Sequence, residues 1–250
     1  MIIKLILVLS SMLISFYTMT SIENKIMQKK FQAIIFDMDG TVIDTEILWE
    51  QGNRHILSTY APHLTPEEID KIIHDRKGIR TPDEHAEMLQ KHCVQDITVD
   101  DIKNIKTTHV FYLYETYGVS FIAYFHEFHN KLSELGLKSA IATNATQDAV
   151  EKIIIKTPLH NYFNEHIYTI DTVQLEYKPK PDIYLHAAQN FGIDPENCIA
   201  IEDSSAGIKA AKAAGMYCIG INTGKNRNNL HQADEIVECY TEIDLDKLLK

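Results

Sequence analysis

Two apolar patterns alternate along the chain. In the first, apolar residues run together without a polar break, as in Ala33-Ile34-Ile35-Phe36, Ala140-Ile141-Ala142, Cys198-Ile199-Ala200-Ile201 and Tyr217–Ile221. Short runs that are apolar on both faces belong to buried strands of a parallel sheet. The strands expected are Gln32–Phe36, Ser139–Thr143, Cys198–Ile201, Tyr217–Ile221 and a short one at Ile236-Val237. In the second pattern, apolar residues recur every third or fourth position. Ile122, Phe125, Phe128, Leu132 and Leu135 share one helical face that stops at Gly136. Further helices are expected near Ala145–Ile155, over Ile183–Phe191 and over Ala206–Ala214, the last two closed by Gly192 and Gly215. Alternation of strand and helix implies right-handed crossovers. The fold class is α/β, a Rossmann-like doubly wound parallel sheet.

One stretch breaks the alternation. From Ile47 to Gly118 the apolar spacing is helical throughout, punctuated by Pro62, Pro66 and Pro82, and no strand is expected. Thr65-Pro66-Glu67-Glu68 reads as an N-cap, a proline in the first turn and two acids favoured by the helix dipole. The chain therefore divides into a hydrophobic N-terminal segment 1–30, a core built from 31–46 and 119–250, and an all-helical insertion 47–118. Linkers are expected near Asp44–Ile47 and Tyr117–Ile122, with Gly118 as the flexible point.

Polar residues capable of chemistry sit where the apolar strands end. Asp37 and Asp39 follow the first strand and precede Gly40; Thr143-Asn144 ends the second; Glu202-Asp203 ends the third. Lys178 lies in a proline-stiffened loop before a helix. In open α/β sheets, ligands sit beyond the carboxyl ends of the strands. Each motif alone has an ordinary reading: an Asp-Gly turn, a loop after a strand, a solvated lysine, or a helix N-cap at Ser204-Ser205. Their joint occurrence is what points to a site.

Phe36-Asp37-Met38-Asp39-Gly40-Thr41, Lys178-Pro179-Lys180-Pro181-Asp182-Ile183-Tyr184 and Ile201-Glu202-Asp203-Ser204-Ser205-Ala206-Gly207-Ile208 resemble, nearly residue for residue, signatures of the haloacid dehalogenase superfamily. The resemblance runs from about Phe31 to the C-terminus. It is strongest to the subfamily with a helical cap after the first motif, which includes phosphoglycolate phosphatases, β-phosphoglucomutases and sugar-phosphate phosphatases. It implies that Asp37 is a nucleophile forming an aspartyl-phosphate and that Asp39 protonates the leaving oxygen and then activates water. It also implies that Mg2+ is held by Asp37, the carbonyl of Asp39 and Asp203, with Glu202 as a direct or water-mediated ligand. Thr143 and the backbone after it, at Asn144, would hold phosphoryl oxygens, and Lys178 would offset their charge.

Within that resemblance, Asp39 argues against a dehalogenase, which lacks an Asp there. A Mg2+-dependent phosphatase of a small sugar or polyol phosphate is the main expectation. A sugar phosphomutase is the alternative, and a phosphate-binding protein without turnover is a third reading. Gly40-Thr41 and Asp44-Thr45-Glu46-Ile47-Leu48-Trp49 resemble the phosphatases, whereas mutases carry a histidine at the position of Trp49. The basic loop Lys77-Gly78-Ile79-Arg80-Thr81 looks somewhat like the mutase cap loop, and Lys77 or Arg80 is expected to reach the substrate. The chain departs from the family at Phe121–Phe125, where a Pro-Gly pair is usual, and at Tyr177, where a glycine is usual.

Composition adds limits. The net charge is −11, and the first thirty residues contribute a positive share, so the rest is strongly acidic. That excludes a general nucleic-acid surface and fits a small phosphorylated metabolite as partner. The four cysteines, Cys93, Cys198, Cys218 and Cys239, are far apart and read as reduced thiols, which favours the cytoplasm. Ile2–Tyr17 is largely apolar and admits a signal, a membrane anchor, or a segment upstream of a start at Met19 or Met27. The aromatics of Phe111–Phe128 are expected to pack cap against core. His126 and His129, three apart on a helix, are expected to be solvated or packed and not to bind metal.

Overall fold

The structure, a computed structural model, describes residues 30–74, 82–94, 96–173, 176–224 and 227–249. Its centre is a six-stranded, all-parallel sheet in the order β3-β2-β1-β4-β5-β6. The strands are β1 (Ala33–Phe36), β2 (Lys138–Thr143), β3 (Ile167–Thr169), β4 (Cys198–Glu202), β5 (Tyr217–Ile221) and β6 (Glu235–Val237). The first strand lies in the middle, and successive connections leave it on opposite sides, first to β2 and later to β4. That reversal is the switch point at which open α/β sheets bind ligands. Phe36 is level with Ile141 on one neighbour and Ile201 on the other. The register thus brings Asp37, Thr143 and Glu202 to the same edge.

Strand alternation divides the core into two layers. Ile34 and Phe36 point to one face with Ile141, Ile199 and Ile201, covered by α5 (Phe125–Glu134) through Phe125, Phe128 and Leu132. Ala33 and Ile35 point to the other, covered by α7 (Asp182–Phe191) and α8 (Ser205–Ala213). All four residues of β1 are fully buried, and its three large side chains, Ile34, Ile35 and Phe36, each contribute about 1.5–3 kcal/mol. On the first face, α6 (Gln147–Ile154) adds Val150 and Ile153 to the layer of Ile34 and Phe36; it is capped by Thr146, whose hydroxyl accepts from Ala149 N–H.

Between β1 and β2 lie α1 (Glu46–Tyr60), α2 (Pro66–His74), α3 (Pro82–Gln90) and α4 (Val99–Tyr117), and among the described residues of this stretch there is no strand. These helices enclose an apolar cluster of their own, which includes Ile56, Leu57, Ile69, Ile73, Leu89 and Ile102. Thr65 and Glu68 form a reciprocal cap: Glu68 Oε2 accepts from Thr65 N–H at 2.8 Å and Thr65 Oγ1 accepts from Glu68 N–H at 3.3 Å. Thr98 and Asp101 repeat the device at α4. The two connecting strands of chain run side by side, with Asp44 N–H donating to Ser120 O and Ile122 N–H to Val42 O, each at 2.9 Å.

Several expected boundaries shift by a residue or two. The helix expected from Ile122 starts at Phe125, because Tyr124 has φ 65° and interrupts it. The edge strand β3 was not expected. It is three residues long and two of them are half-exposed, so it carries no apolar run. The cysteines are free, with Cys198 and Cys218 buried in the sheet, and burial pushes the Cys198 thiol up to about 12. Phe121 stacks on Phe125 at 5.4 Å, a contact within the core. His126 meets the Tyr162 hydroxyl at 2.6 Å. No helix among the described residues is long and apolar enough to cross a membrane; the N-terminal segment lies outside them.

His129 is buried beneath the sheet with a ring nitrogen 2.9 Å from Ser139 Oγ. Burial pushes its imidazole down from 6.5 to about 4. The unfolded chain therefore binds the proton more readily, and stability falls as pH falls from 6.5 toward 4. His129→Asn removes that titration. Urea unfolding at neutral pH and near the lower end of this window should show an acid-induced loss smaller in the variant by on the order of 2 kcal/mol.

Candidate active site

The site begins with a tight loop after β1. Met38 O accepts from the N–H groups of Val42 and Ile43, at 2.9 and 3.1 Å, which turns the chain back on itself. Gly40 sits at φ +78°, and a Cβ there would lie 2.3 Å from Asp203 Oδ2. Glycine is thus required both for its backbone angle and for the approach of Asp203. Thr223 Oγ1 donates to Gly40 O at 2.6 Å and Tyr240 OH to Thr41 O at 2.8 Å, so the loop is held from the far side as well.

Lys178 is the central cation. Its side chain is 3% exposed. Its Nζ lies 2.6 Å from Asp37 Oδ1 and 2.7 Å from Glu202 Oε1. The Tyr184 hydroxyl donates to the same Glu202 oxygen at 2.8 Å. The other oxygen of Glu202 accepts from Ser204 Oγ at 3.0 Å and from Ser204 N–H at 3.3 Å. Burial alone would lower the Lys178 ammonium, but Asp37 and Glu202 outweigh it and hold it above its ordinary value. The lysine loop is tied to the end of β2, because Asn144 Oδ1 accepts from Lys178 N–H at 3.0 Å. Thr143 is buried and its hydroxyl accepts from Ala145 N–H at 3.0 Å.

Among the described residues the carboxylates outnumber their cation. One oxygen from each of Asp37, Glu202 and Asp203 falls within 4.8 Å of the others. Burial, opposed by Lys178 and reinforced by Glu202 and Asp39, pushes Asp37 up to about 7. Asp203 is held well above the usual carboxylate range by burial and then by Asp37 and Glu202. Asp39 is raised by burial, against a 2.7 Å hydrogen bond from Thr45 Oγ1. A cluster of hard oxygen donors so short of positive charge fits a divalent cation such as Mg2+. The site can therefore position an anionic ester against a carboxylate, supply an ammonium beside it, and hold a protonated carboxyl nearby.

Asp37, Asp39, Thr143, Asn144, Lys178, Glu202 and Asp203, expected from scattered motifs, all converge on this edge of the sheet. Arg80 and Lys77 lie outside the described residues. Three features were missed. Tyr184 closes the Lys178–Tyr184 motif but was given no role; its hydroxyl on an otherwise apolar helix face with Ile183, Ala187 and Ala188 was the available signal. Thr45 lies within the Asp44–Trp49 motif but was given no role of its own. The third is a cavity of about 230 Å³ beside Asp39, walled by Trp49, Phe111 and Tyr114 from the helical insertion and by Asn144, Ala149 and Ile153 from the core. Phe111 was expected to pack cap against core, and it does so while also facing this space.

A family model described as haloacid dehalogenase-like hydrolase matches residues 34–221. A putative phosphatase, YhcW of Bacillus subtilis, is 30% identical over 223 residues, covering 87% of this chain and 96% of that protein. Hexitol phosphatase A of Escherichia coli is 27% identical, covering 86% of this chain and 94% of its own length. The crystal structure of a HAD family hydrolase from Deinococcus radiodurans with bound phosphate and sodium superposes with a TM-score of 0.71 at 26% identity, over 89% of this chain and 99% of that one.

The first turn of α8 supplies a test of the site's geometry. A Cβ on Gly207 would lie 1.6 Å from Glu202 Oε1. Without that contact, Gly→Ala in a helix would stabilise by up to about 1 kcal/mol. Here it must displace Glu202 from Lys178, so Gly207→Ala should destabilise by on the order of 3 kcal/mol in urea unfolding.

Proposed function

The chain belongs to the haloacid dehalogenase-like hydrolases, and we propose that it is a Mg2+-dependent phosphatase of small carbohydrate phosphates acting through a phosphorylated Asp37. The observation that carries this reading is the buried contact of Lys178 with both Asp37 and Glu202, at 2.6 and 2.7 Å, beside two further carboxyl groups.

Asp37, ionised, attacks the phosphorus of the ester; the bond from phosphorus to the alcohol oxygen breaks as the new one forms. Lys178 keeps that carboxylate oriented and offsets the charge of the transferring group. Asp39, whose carboxyl is raised by burial, gives its proton to the departing alcohol oxygen. It then takes a proton from water, which attacks the aspartyl-phosphate, frees inorganic phosphate and restores Asp37. Thr143 and the backbone toward Asn144 hold the phosphoryl oxygens. A bound divalent ion would supply further positive charge to those oxygens. Asp37, Asp203 and the Asp39 carbonyl are the groups that would hold it. Both Glu202 oxygens already accept hydrogen bonds, which fits Glu202 behind the ion, acting through water.

The helical insertion acts as a lid. Trp49, Phe111 and Tyr114 border the cavity at Asp39, and covering it excludes bulk water during transfer. Relatives named as phosphatases of sugar alcohols and sugars support a phosphorylated carbohydrate as substrate.

Phosphate release should be measured across sugar, polyol and glycolate phosphates and β-glucose 1-phosphate, with and without Mg2+. Release should vanish with EDTA and return with Mg2+, and Asp37→Asn should lose at least about 10³-fold in kcat. Conversion of β-glucose 1-phosphate to the 6-phosphate without release would assign a mutase instead. Anion binding without any turnover would assign a binding protein.

A further inference from the structure

We infer that this enzyme selects a leaving group in ring form, seated against an aromatic wall made by Trp49 and Phe111 with Tyr114 behind them. The inference rests on the phosphatase reading above and names the feature of the carbohydrate that the cavity recognises.

The wall is built from two cap helices. Trp49 comes from the first turn of α1, and Phe111 and Tyr114 from adjacent turns of α4. Tyr114 is buried and braces the others: its ring lies 6.0 Å from that of Phe111, and the Trp49 indole hydrogen-bonds to its hydroxyl. Lys106 Nζ lies 5.8 Å from the centre of the Trp49 ring. Trp49 and Phe111 are only partly buried, although both face a cavity of about 230 Å³ that touches Asp39. Aromatic side chains placed only for packing would have that space filled. Here Lys106 and Lys152 each lie 5.8 Å from the centre of one ring, Trp49 and Phe111 respectively, and the space that both rings border beside Asp39 is open to an apolar partner.

The opposite side is mixed. Ala149 and Ile153 are apolar, while Asn144 and Thr146 bring polar groups, and Asp39 stands at the end where the ester oxygen must lie. A pyranose or furanose ring matches this division. Its C–H faces are apolar, and its hydroxyls project around the rim. An open-chain polyol carries hydroxyls on all sides, and each of its rotors costs about 0.5–1.5 kcal/mol to immobilise. The volume is below the ~300–1,000 Å³ of pockets for drug-sized ligands, which suits a single ring.

Matched pairs test this with the full-length enzyme and Mg2+: glucose 6-phosphate against sorbitol 6-phosphate, mannose 6-phosphate against mannitol 1-phosphate, and ribose 5-phosphate against ribitol 5-phosphate. In at least one pair the ring form should exceed its open-chain partner by about tenfold or more in kcat/KM. Phe111→Ala should bring that ratio toward one, chiefly by raising KM for the ring form. Phe111→Leu, which keeps apolar volume without a flat face, should move it in the same direction. Ratios near one in the wild type, ratios unchanged in both folded variants, or hydrolysis confined to monoesters outside these pairs overturn the ring preference and leave the phosphatase standing. Release of phosphate from no monoester overturns both.

Discussion

One ammonium group organises this active site. Lys178 bridges Asp37 from the end of β1 and Glu202 from the end of β4, while its own backbone N–H is held by Asn144 from the end of β2. Three strands and one loop are thus registered through a single residue. Removing one partner of a buried pair costs roughly 3–5 kcal/mol, because the other charge is left without compensation. The backbone around the pair is correspondingly constrained. Gly40 must yield to Asp203 and Gly207 to Glu202, and Tyr184 supplies a hydroxyl where an apolar side chain would leave Glu202 with one donor fewer.

Among the described residues, the carboxylates around this contact exceed its single positive charge. Asp37 and Asp203 are both raised by burial and by their acidic neighbours, so a protein that retains this arrangement does so at the expense of stability. Strain of this kind belongs to functional sites, where local rules are broken for chemistry. Three carboxylates so placed are a donor set suited to a hard divalent cation.

The lid and the core meet through a different physics. The insertion has an apolar cluster of its own, and it presents aromatic faces to the cavity at Asp39. The carboxylates and Lys178 thus come from strand ends and the loop after them, and the aromatic side of the cavity from helices. The paired linkers, bridged at Ile43 and Phe121, join them over a short ribbon.

Much of this was legible in the chain. Apolar runs such as Ala33–Phe36 and Cys198–Ile201 identify central strands because a parallel strand buries both faces. Acids at strand ends identify the candidate site's edge because only there do side chains leave the sheet toward a common crevice. The edge strand Ile167–Thr169 and the interruption at Tyr124 were not legible, since half-exposed pairing and a single backbone angle leave no periodicity. The sequence by itself determined the fold class, the helical insertion and the candidate site residues, which depend on local period and residue chemistry. Only the tertiary structure decided that Glu202 spends its oxygens on Lys178, Tyr184 and Ser204, and that Trp49 and Phe111 face a cavity. Those outcomes depend on distances between residues far apart in the chain, which packing alone sets.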